Sequence, residues 1–219
     1  MPDFLGTAAL YVVPLLFAVI IHEVSHGWVA EKLGDPTARA LGRITLNPLV
    51  HIDLVGTIIL PGILLLSGSP FLFGWAKPVP VNFGYLRGGR KDMALVAFSG
   101  PLSNFVLAAL SSAIFHFTFS RLIDPSGAGQ YWYVYLQEPV RRMALFSLQL
   151  NLVLMVVNLL PILPLDGGRI VSGLAPIRIA MALERTERFG MLILLVLIGS
   201  GLWSYIVTPL IAFFMHFLL

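Results

Sequence analysis

The sequence predicts an all-α, polytopic membrane protein, and two observations carry that prediction: the composition and the long apolar runs. Of the 219 residues, 58% are hydrophobic and only 11% are charged, whereas an ordinary soluble domain is about 25% charged. About five apolar segments are separated by short polar stretches. We therefore expect residues 1–219 to form a single membrane-embedded domain.

Four of the apolar segments are long, and each is a candidate transmembrane helix. They comprise residues 7–30, 93–119, 143–160 and 189–219. A helix needs about 20 apolar residues to cross the hydrocarbon core of a bilayer. The third of these segments is the shortest, and the other three exceed this length.

The fifth apolar segment, residues 54–76, is interrupted by Pro61 and again by the run from Ser67 to Pro70. Its continuous part, residues 54–66, would be about 20 Å long as a helix. The hydrocarbon core is about 30 Å thick. We therefore expect this segment to be a re-entrant element that enters and leaves by the same membrane face.

The first long segment contains the sequence His22-Glu23-Val24-Ser25-His26, which has the pattern of a zinc-binding helix. Residues four apart lie on one face of a helix, about 6 Å apart along its axis, so both imidazoles can reach one metal ion. Glu23 lies beside them, where it can take a proton from a zinc-bound water. The alternative is a pair of buried, hydrogen-bonded histidines, or His and Glu at an interface. Metal binding is favoured because ionisable groups within lipid are costly without a partner.

A second candidate ligand, Asp166, lies in the segment from Asn158 to Arg169 that follows the apolar segment 143–160. Two prolines in this segment lack N–H donors and must end or distort the preceding helix. The glycines after the aspartate permit a tight turn. A carboxylate fixed there could be the third protein ligand of a catalytic zinc, with a fourth position left for water. Taken alone, the aspartate could equally lie in an ordinary interfacial turn, and the HExxH pattern in the same chain favours the ligand.

Composition also limits other classes of function. The chain has no cysteine, so neither a disulfide framework nor a thiolate zinc site is available. The net charge of +3 lies in loops between apolar runs, where it indicates membrane orientation rather than nucleic-acid binding. The first segment lacks a basic n-region, so we expect it to be retained rather than cleaved as a signal peptide.

Three sequence motifs follow one another along the chain. They are HExxH at residues 22–26, Gly-Pro-x-x-Asn at residues 100–104, and Asn-x-x-Pro-x-x-Pro-x-Asp-Gly at residues 158–167. Together they resemble the site-2 protease family of intramembrane zinc metalloproteases. Residues 46–53 and 74–82 are similar to linking segments of the compact prokaryotic members, so the resemblance covers nearly the whole chain.

The resemblance implies a set of functional residues and one Zn²⁺ ion. The implied zinc ligands are His22, His26 and Asp166. Glu23 is implied to be the catalytic base and later the proton donor. Asn158 is implied to orient the substrate or to stabilise the oxyanion, so it is the second candidate catalytic residue.

We therefore expect a zinc metalloendopeptidase that hydrolyses a peptide bond within or near a transmembrane helix of another membrane protein, as in regulated intramembrane proteolysis. The expected partners are this transmembrane substrate and the lipid bilayer, with no nucleic acid. A metal-handling membrane transporter, or a non-catalytic membrane scaffold, is the alternative from a different class. Glu23 distinguishes them, because a hydrolase needs a general base beside the metal and a transporter does not.

The distribution of basic residues predicts the orientation of the chain. His26 and Asp166 each lie at the end of a helix, so both helices must run in the same direction to share one zinc ion. Loops 31–53, 73–92 and 166–188 then lie on one side, and they hold eleven of the fourteen Lys and Arg residues. The positive-inside rule makes this side cytoplasmic. We expect an integral protein of a prokaryotic inner (cell) membrane, with its active site toward the cytoplasmic face.

Residues 75–82 are expected to form a short extended or β element beside the active site. Pro78 and Pro80 cannot donate backbone hydrogen bonds, whereas Val79 and Val81 keep their N–H groups along one edge. A substrate unwound from its helix needs such partners in lipid. The candidate substrate-binding residues of this element are Lys77, Val79 and Val81.

Two alternatives exist for this element. The element could be a rigid proline-rich linker, or its intact edge could pair with the protein's own residues 43–46.

Asn104 is one further candidate substrate-binding residue, and it lies within the apolar segment 93–119. We expect it to hydrogen-bond between helices or to lie on the substrate path.

Overall fold

The computed structural model describes residues 4–67, 74–120 and 133–219, and regular secondary structure in this part of the chain is entirely helical. The helices, in chain order, are α1 (Phe4–Leu33), α2 (Thr37–Ala40), α3 (Leu60–Leu66), α4 (Arg90–Ser120), α5 (Glu138–Asn158), α6 (Asp166–Leu174), α7 (Ile177–Thr186), α8 (Gly190–Gly199) and α9 (Leu202–Leu218). Shorter helical turns occur at Pro48–His51, Leu54–Ile59, Phe83–Tyr85, Tyr133–Gln137 and Glu187–Phe189. The predicted all-α class is confirmed.

Three helices of the described part are long and apolar enough to cross a membrane. They are Leu10–Leu33 in α1, Arg90–Thr118 in α4, and Tyr135–Asn158, which joins α5 to the turn before it. The shortest have 24 residues and are about 36 Å long at 1.5 Å per residue, more than the hydrocarbon core of about 30 Å. The third span begins before its apolar run, and in this added part Glu138 pairs with Arg141 and Arg142 at N···O distances of 2.9 and 2.6 Å.

The last apolar segment, residues 189–219, is not one continuous helix. The helical stretch Ile177–Gly199, which ends in α8, and helix α9 (Leu202–Leu218) are bent by 86° relative to each other. Between them Gly201 has a φ of +79°, in the left-handed region that glycine enters without steric strain. Within the described residues a fourth span exists only if the bent pair is counted as one. The predicted number of about five is therefore not confirmed.

The described ends of the apolar segment 54–76 contact each other. It comprises the π-helical turn Leu54–Ile59 and helix α3, and residues 68–73 lie outside the described part of the chain. The backbone N–H of Trp75 donates to the Gly56 carbonyl at 3.1 Å, and the Thr57 hydroxyl donates to the Trp75 carbonyl at 2.9 Å. The two ends of the segment lie together, which is the geometry that a re-entrant element requires.

The three long helices pack with alternating directions. Hydrogen-bonded pairs fix these directions: His26–Val96 and His22–Asn104 between α1 and α4, and Asn104–Asn151 and Ser111–Ser147 between α4 and α5. Residue numbers rise along one helix of each pair as they fall along the other, so α4 is antiparallel to both partners. Helices α1 and α5 therefore run in the same direction, as a shared metal site requires.

The main apolar core packs α5 against α4, α8 and α9. Its buried members include Ala108, Leu148, Leu152, Leu194 and Val207. This core fixes α5 against α4, and α4 in turn packs against the histidine face of α1. Residues that are far apart in the sequence, such as His22 and Asp166, thereby meet at one end of the bundle.

No strand forms among the described residues, so the predicted β element is not confirmed. Residues 74–82 have no regular secondary structure and no partner strand. The Lys77 N–H donates to the His51 carbonyl at 2.9 Å, and the Arg43 guanidinium donates to the Lys77 carbonyl at 2.8 Å. A loop carbonyl and a side chain satisfy these backbone groups, and no ladder with residues 43–46 forms.

Candidate metal centre

Helix α1 brings His22 and His26 onto one face, as their four-residue spacing predicts. Their Nε2 atoms lie 3.1 Å apart. The side chains are buried between helices, with 8% and 9% of the two residues exposed. Two imidazole nitrogens are thus fixed at the distance at which they can bind one metal ion.

Asp166, which is distant from the two histidines in the sequence, is the third member of the cluster. It is the first residue of α6, and its Oδ2 lies 3.1 Å from His22 Nε2 and 3.3 Å from His26 Nε2. The glycines that follow are helical, which corrects the tight turn expected from the sequence. A Cβ on Gly167 would meet the carbonyl oxygen of Leu159. Glycine is therefore needed there because α6 begins in direct contact with the end of α5.

Each imidazole turns its Nδ1 toward an acceptor outside the cluster. His26 Nδ1 lies 2.8 Å from the Val96 carbonyl oxygen, and His22 Nδ1 lies 2.5 Å from Asn104 Oδ1. Carbonyl oxygens can only accept hydrogen bonds, so both Nδ1 atoms carry the proton. Each Nε2 atom is then unprotonated. The two Nε2 lone pairs lie close to each other and to the Asp166 carboxylate.

Three acceptor atoms therefore converge, and this arrangement fits a cation. Asp166 Oδ2 is buried without a hydrogen-bond donor. Ligand atoms about 2.0–2.1 Å from a tetrahedral zinc ion lie about 3.3 Å apart, close to the observed distances of 3.1, 3.1 and 3.3 Å. Among the described residues this is the one cluster of three His, Cys, Asp or Glu side chains that converge in this way.

The charge of Asp166 also suits a metal ligand. Asp166 supplies a carboxylate, and the deprotonated carboxyl group is the form that binds a metal ion. One carboxylate and two neutral imidazoles form a donor set typical of catalytic zinc.

The cluster opens into a cleft of about 490 Å³. The residues that line the cleft include His22, Glu23, His26, Trp75, Val79, Val81, Asn158, Asp166 and Arg169. Residues of the segment 75–81 form part of its wall. Two predicted substrate-binding residues are not among the described residues that line it. Lys77 is exposed, and Asn104 is fully buried behind His22.

Glu23 lines the cleft directly beside the metal cluster. Its Oε2 accepts a hydrogen bond of 2.7 Å from the backbone N–H of Val79. This contact fixes the carboxylate while its second oxygen can still accept a proton. From the sequence, we expected the Val79 N–H to be free to bind substrate. In the structure it instead donates to Glu23, the candidate base.

Asn158 is the last residue of α5 and also lines the cleft. Its Nδ2 donates to the Leu154 carbonyl at 2.9 Å, which orients the amide relative to its own helix. The amide therefore belongs to the part of the cleft wall that is formed by the end of α5.

Two residues that support the metal ligands were not predicted from the sequence. One contacts His26 directly, and the other contacts Asn104 behind His22. The Val96 carbonyl accepts from His26, and no side-chain pattern could have indicated a backbone partner. Asn151 bonds to Asn104 behind His22. Its signal was present in the sequence, because an amide in the middle of an apolar helix needs a partner.

Replacing Gly100 by alanine is expected to disrupt the metal centre. The added Cβ would meet His26 Nε2 and lie 2.7 Å from His22 Cε1, so the rings must shift. Alanine favours a helix by about 0.5–1 kcal/mol over glycine, so α4 should persist. We expect zinc content and cleavage to fall by at least about tenfold, the lower range for perturbed metal sites. Gly199→Ala is the control, since its Cβ would meet nothing within 4 Å. Full zinc binding by Gly100→Ala would contradict this packing.

A pair of helical histidines, an adjacent glutamate and a distant aspartate, set among helices long enough to span a membrane, form a candidate site of a membrane metalloprotease. The chain matches the model of peptidase family M50 over residues 10–200. It is 36% identical to the candidate zinc metalloprotease YwhC of Bacillus subtilis, over 91% of this chain and 84% of that protein.

More distant relatives agree with this assignment. The chain is 27% identical to the candidate zinc metalloprotease Rip2 of Mycolicibacterium smegmatis, over 90% of this chain and 69% of that protein. It is also 27% identical to Rip2 of Mycobacterium tuberculosis, over 89% and 68%. No solved structure matches the chain.

The chain belongs to peptidase family M50, the site-2 protease family, and it is an integral membrane zinc metalloprotease. The predicted family, enzyme class and zinc cofactor are confirmed. The transporter and scaffold alternatives are thereby set aside.

Proposed function

We propose that this metalloprotease hydrolyses a peptide bond within or near a transmembrane helix of another membrane protein, as in regulated intramembrane proteolysis. The proposal rests on one observation: the candidate ligands and base on α1 lie inside a helix that is long and apolar enough to span the membrane. His26 lies seven residues before the end of α1 at Leu33, about 10 Å along the helix axis. A site at this depth can meet a substrate helix in lipid and remain close to water.

We assign one Zn²⁺ to His22, His26 and Asp166. When bound there, zinc acts as a Lewis acid that activates water and polarises the scissile carbonyl. Glu23, held by the Val79 N–H, accepts the proton from water and delivers it to the leaving amine. Asn158 lies on the cleft wall, where its amide can orient the substrate or stabilise the charge that develops on the scissile oxygen.

The cleft wall formed by residues of the segment 75–81 supports a mode of substrate binding. A substrate helix must unwind before its peptide bond can reach Glu23, and unpaired backbone groups are costly in lipid. Strand addition along residues 77–81 would supply new partners. Of the candidate contacts, Val79 and Val81 line the cleft. Because Glu23 holds the Val79 N–H, Val81 is the better candidate donor.

Lys77 and Asn104 remain predicted substrate contacts. Lys77 is exposed beside the cleft wall rather than on it, so it could contact substrate only at the entrance. Asn104 is separated from the cleft by His22, so its effect on substrate would have to pass through that imidazole.

The charge distribution supports a cytoplasmic active site in a prokaryotic inner membrane. The end of α1, the start of α4 and the end of α5 lie at one end of the bundle. The loops that continue from these ends carry eleven of the fourteen basic residues, and the positive-inside rule places such loops in the cytoplasm. Of the other three, Arg141 and Arg142 lie at the start of α5, and Arg121 lies outside the described residues.

Single-cysteine labelling tests this topology, because the natural chain has no cysteine. We expect Leu46→Cys and Arg87→Cys, both exposed, to react with an impermeant reagent only from the cytoplasmic side. Ala128→Cys, outside the described residues, should react only from the opposite side. Labelling of positions 46 and 87 from opposite sides would show that residues 54–76 cross the membrane.

Membrane proteomics tests the proposed substrate class. Cells that express the active protein should contain fragments whose new termini lie within or beside a transmembrane helix. Cells with the Glu23→Gln variant at the same level should lack them. New termini found only in regions far from any transmembrane helix would refute the proposal while leaving the enzyme class untouched.

A further inference from the structure

A chain of buried amides connects α5 to the back of His22. Asn104 on α4 and Asn151 on α5 have 0% and 1% of their surfaces exposed. Asn104 Oδ1 lies 2.5 Å from His22 Nδ1, and Asn104 Nδ2 donates to Asn151 Oδ1 at 2.8 Å. Neither asparagine lines the cleft, so any effect on the site must pass through His22.

The surroundings fix which way the Asn104 amide points. Its Nδ2 faces two acceptors, Asn151 Oδ1 at 2.8 Å and the Ala18 carbonyl at 3.3 Å. A flipped amide would place its oxygen against both acceptors and leave all three without a proton. Oδ1 must therefore face His22, and it can only accept the proton of Nδ1.

Asn151 is oriented in turn by its own helix. Its Nδ2 donates to the Ser147 carbonyl at 2.8 Å and lies 3.3 Å from the Ser147 hydroxyl oxygen. A backbone carbonyl cannot change from acceptor to donor. The direction of the whole chain, from Ser147 to His22, is therefore set by a group that cannot flip.

The two histidines differ in how they are held. His26 Nδ1 meets the Val96 backbone carbonyl, an acceptor of fixed polarity. His22 Nδ1 meets a side-chain amide, which has a donor and an acceptor end. The His22 tautomer thus depends on the amide chain, whereas the His26 tautomer does not.

We propose that Asn104 and Asn151 are positioning residues that hold His22 with Nδ1 protonated and the Nε2 lone pair directed at the zinc. This inference rests on the assignment of His22 as a zinc ligand. Outer partners of ligating imidazoles fix the tautomer and ring orientation, and their loss typically weakens metal binding or activity about 10–100-fold. Asn151 acts through Asn104, two hydrogen bonds from the imidazole.

The test replaces Asn151 by leucine, which is similar in size and removes both polar groups. The purified full chain is titrated with Zn²⁺ against a competing chelator, and its visible absorption is recorded after reconstitution with Co²⁺. We expect zinc affinity to fall about 10–100-fold and the cobalt d–d bands to change. Asn104→Leu should show at least as large an effect, because it contacts His22 directly.

Leu148→Ala is the matched control for lost packing. Leu148 is fully buried on α5, three residues from Asn151, and belongs to the apolar core. Its truncation should lower thermal stability and leave zinc affinity and the cobalt spectrum at wild-type values. If the leucine variant at 151 does not fold, Asn151→Ala adds no bulk to the helix and replaces it.

Zinc affinity within twofold of wild type in a folded Asn151 variant, with an unchanged cobalt spectrum, would overturn the proposal. Equal loss of zinc affinity in Leu148→Ala would overturn it as well, since packing alone would then explain the effect. His22→Ala separates the premises: if it keeps wild-type zinc affinity, the ligand assignment itself fails.

Discussion

Replacing Glu23 by glutamine is expected to abolish cleavage while zinc remains bound. The amide keeps the shape of the side chain and can retain an oxygen facing the Val79 N–H, but it cannot accept a proton from water. The three candidate ligands are untouched. General acid–base groups contribute about 10²–10⁴-fold to rate, so turnover should fall by at least that factor. A cleavage assay on a transmembrane substrate, run beside metal analysis of the same preparation, measures both quantities.

Glu31→Gln is the matched control for this substitution. Glu31 lies on the same helix, two turns beyond Glu23, and pairs with Arg39 at 2.8 Å outside the cleft. Its variant should cleave at the wild-type rate. A Glu23→Gln protein with full activity would refute the role of Glu23 as the base.

Replacing Val79 by proline is expected to depress cleavage by about 10- to 100-fold with zinc retained. Proline has no backbone N–H, so Glu23 loses the donor that holds its carboxylate at 2.7 Å. A displacement of about 1 Å in a catalytic group can cost about 10²-fold in rate. The ligands do not depend on this hydrogen bond, and metal content should stay at the wild-type value.

Two companion variants distinguish whether residues 75–82 hold Glu23, bind substrate, or act only as a rigid linker. Val79→Ala keeps the N–H, so it should retain far more activity than Val79→Pro. Val81→Pro removes an N–H that no residue of the described chain is shown to accept, and it should depress cleavage only if that group binds substrate. Unchanged turnover in both proline variants would leave the segment as a rigid linker.

The candidate ligands could be predicted because their signals are local and chemically specific. The spacing of His22 and His26 puts them on one helix face wherever that helix lies in the fold. Asp166 alone could equally have lain in an ordinary interfacial turn, and it became a candidate ligand because the HExxH pattern occurs in the same chain. Their convergence also required α1 and α5 to be parallel, and the structure has this arrangement.

Other features could not be predicted because they depend on contacts between distant residues. Glu23 and Val79 are 56 residues apart, and His22 and Asn104 are 82 apart. No periodicity specifies which backbone N–H or amide will meet them once the helices pack. The bend at Gly201 is similar, since a glycine permits a left-handed φ without requiring it.

The zinc content of the Asp166→Ala variant tests the central assignment most directly, because Asp166 is the ligand contributed by the distant part of the sequence. The full chain is purified without added chelator, and zinc per chain is measured for wild type, Asp166→Ala and Asp92→Ala. Asp92 lies at the start of α4, outside the cleft, where it accepts from the Gly88 N–H at 2.6 Å. We predict one zinc per chain in wild type and in Asp92→Ala, and little or none in Asp166→Ala. One zinc per chain in Asp166→Ala would contradict the assignment of His22, His26 and Asp166 as the metal site.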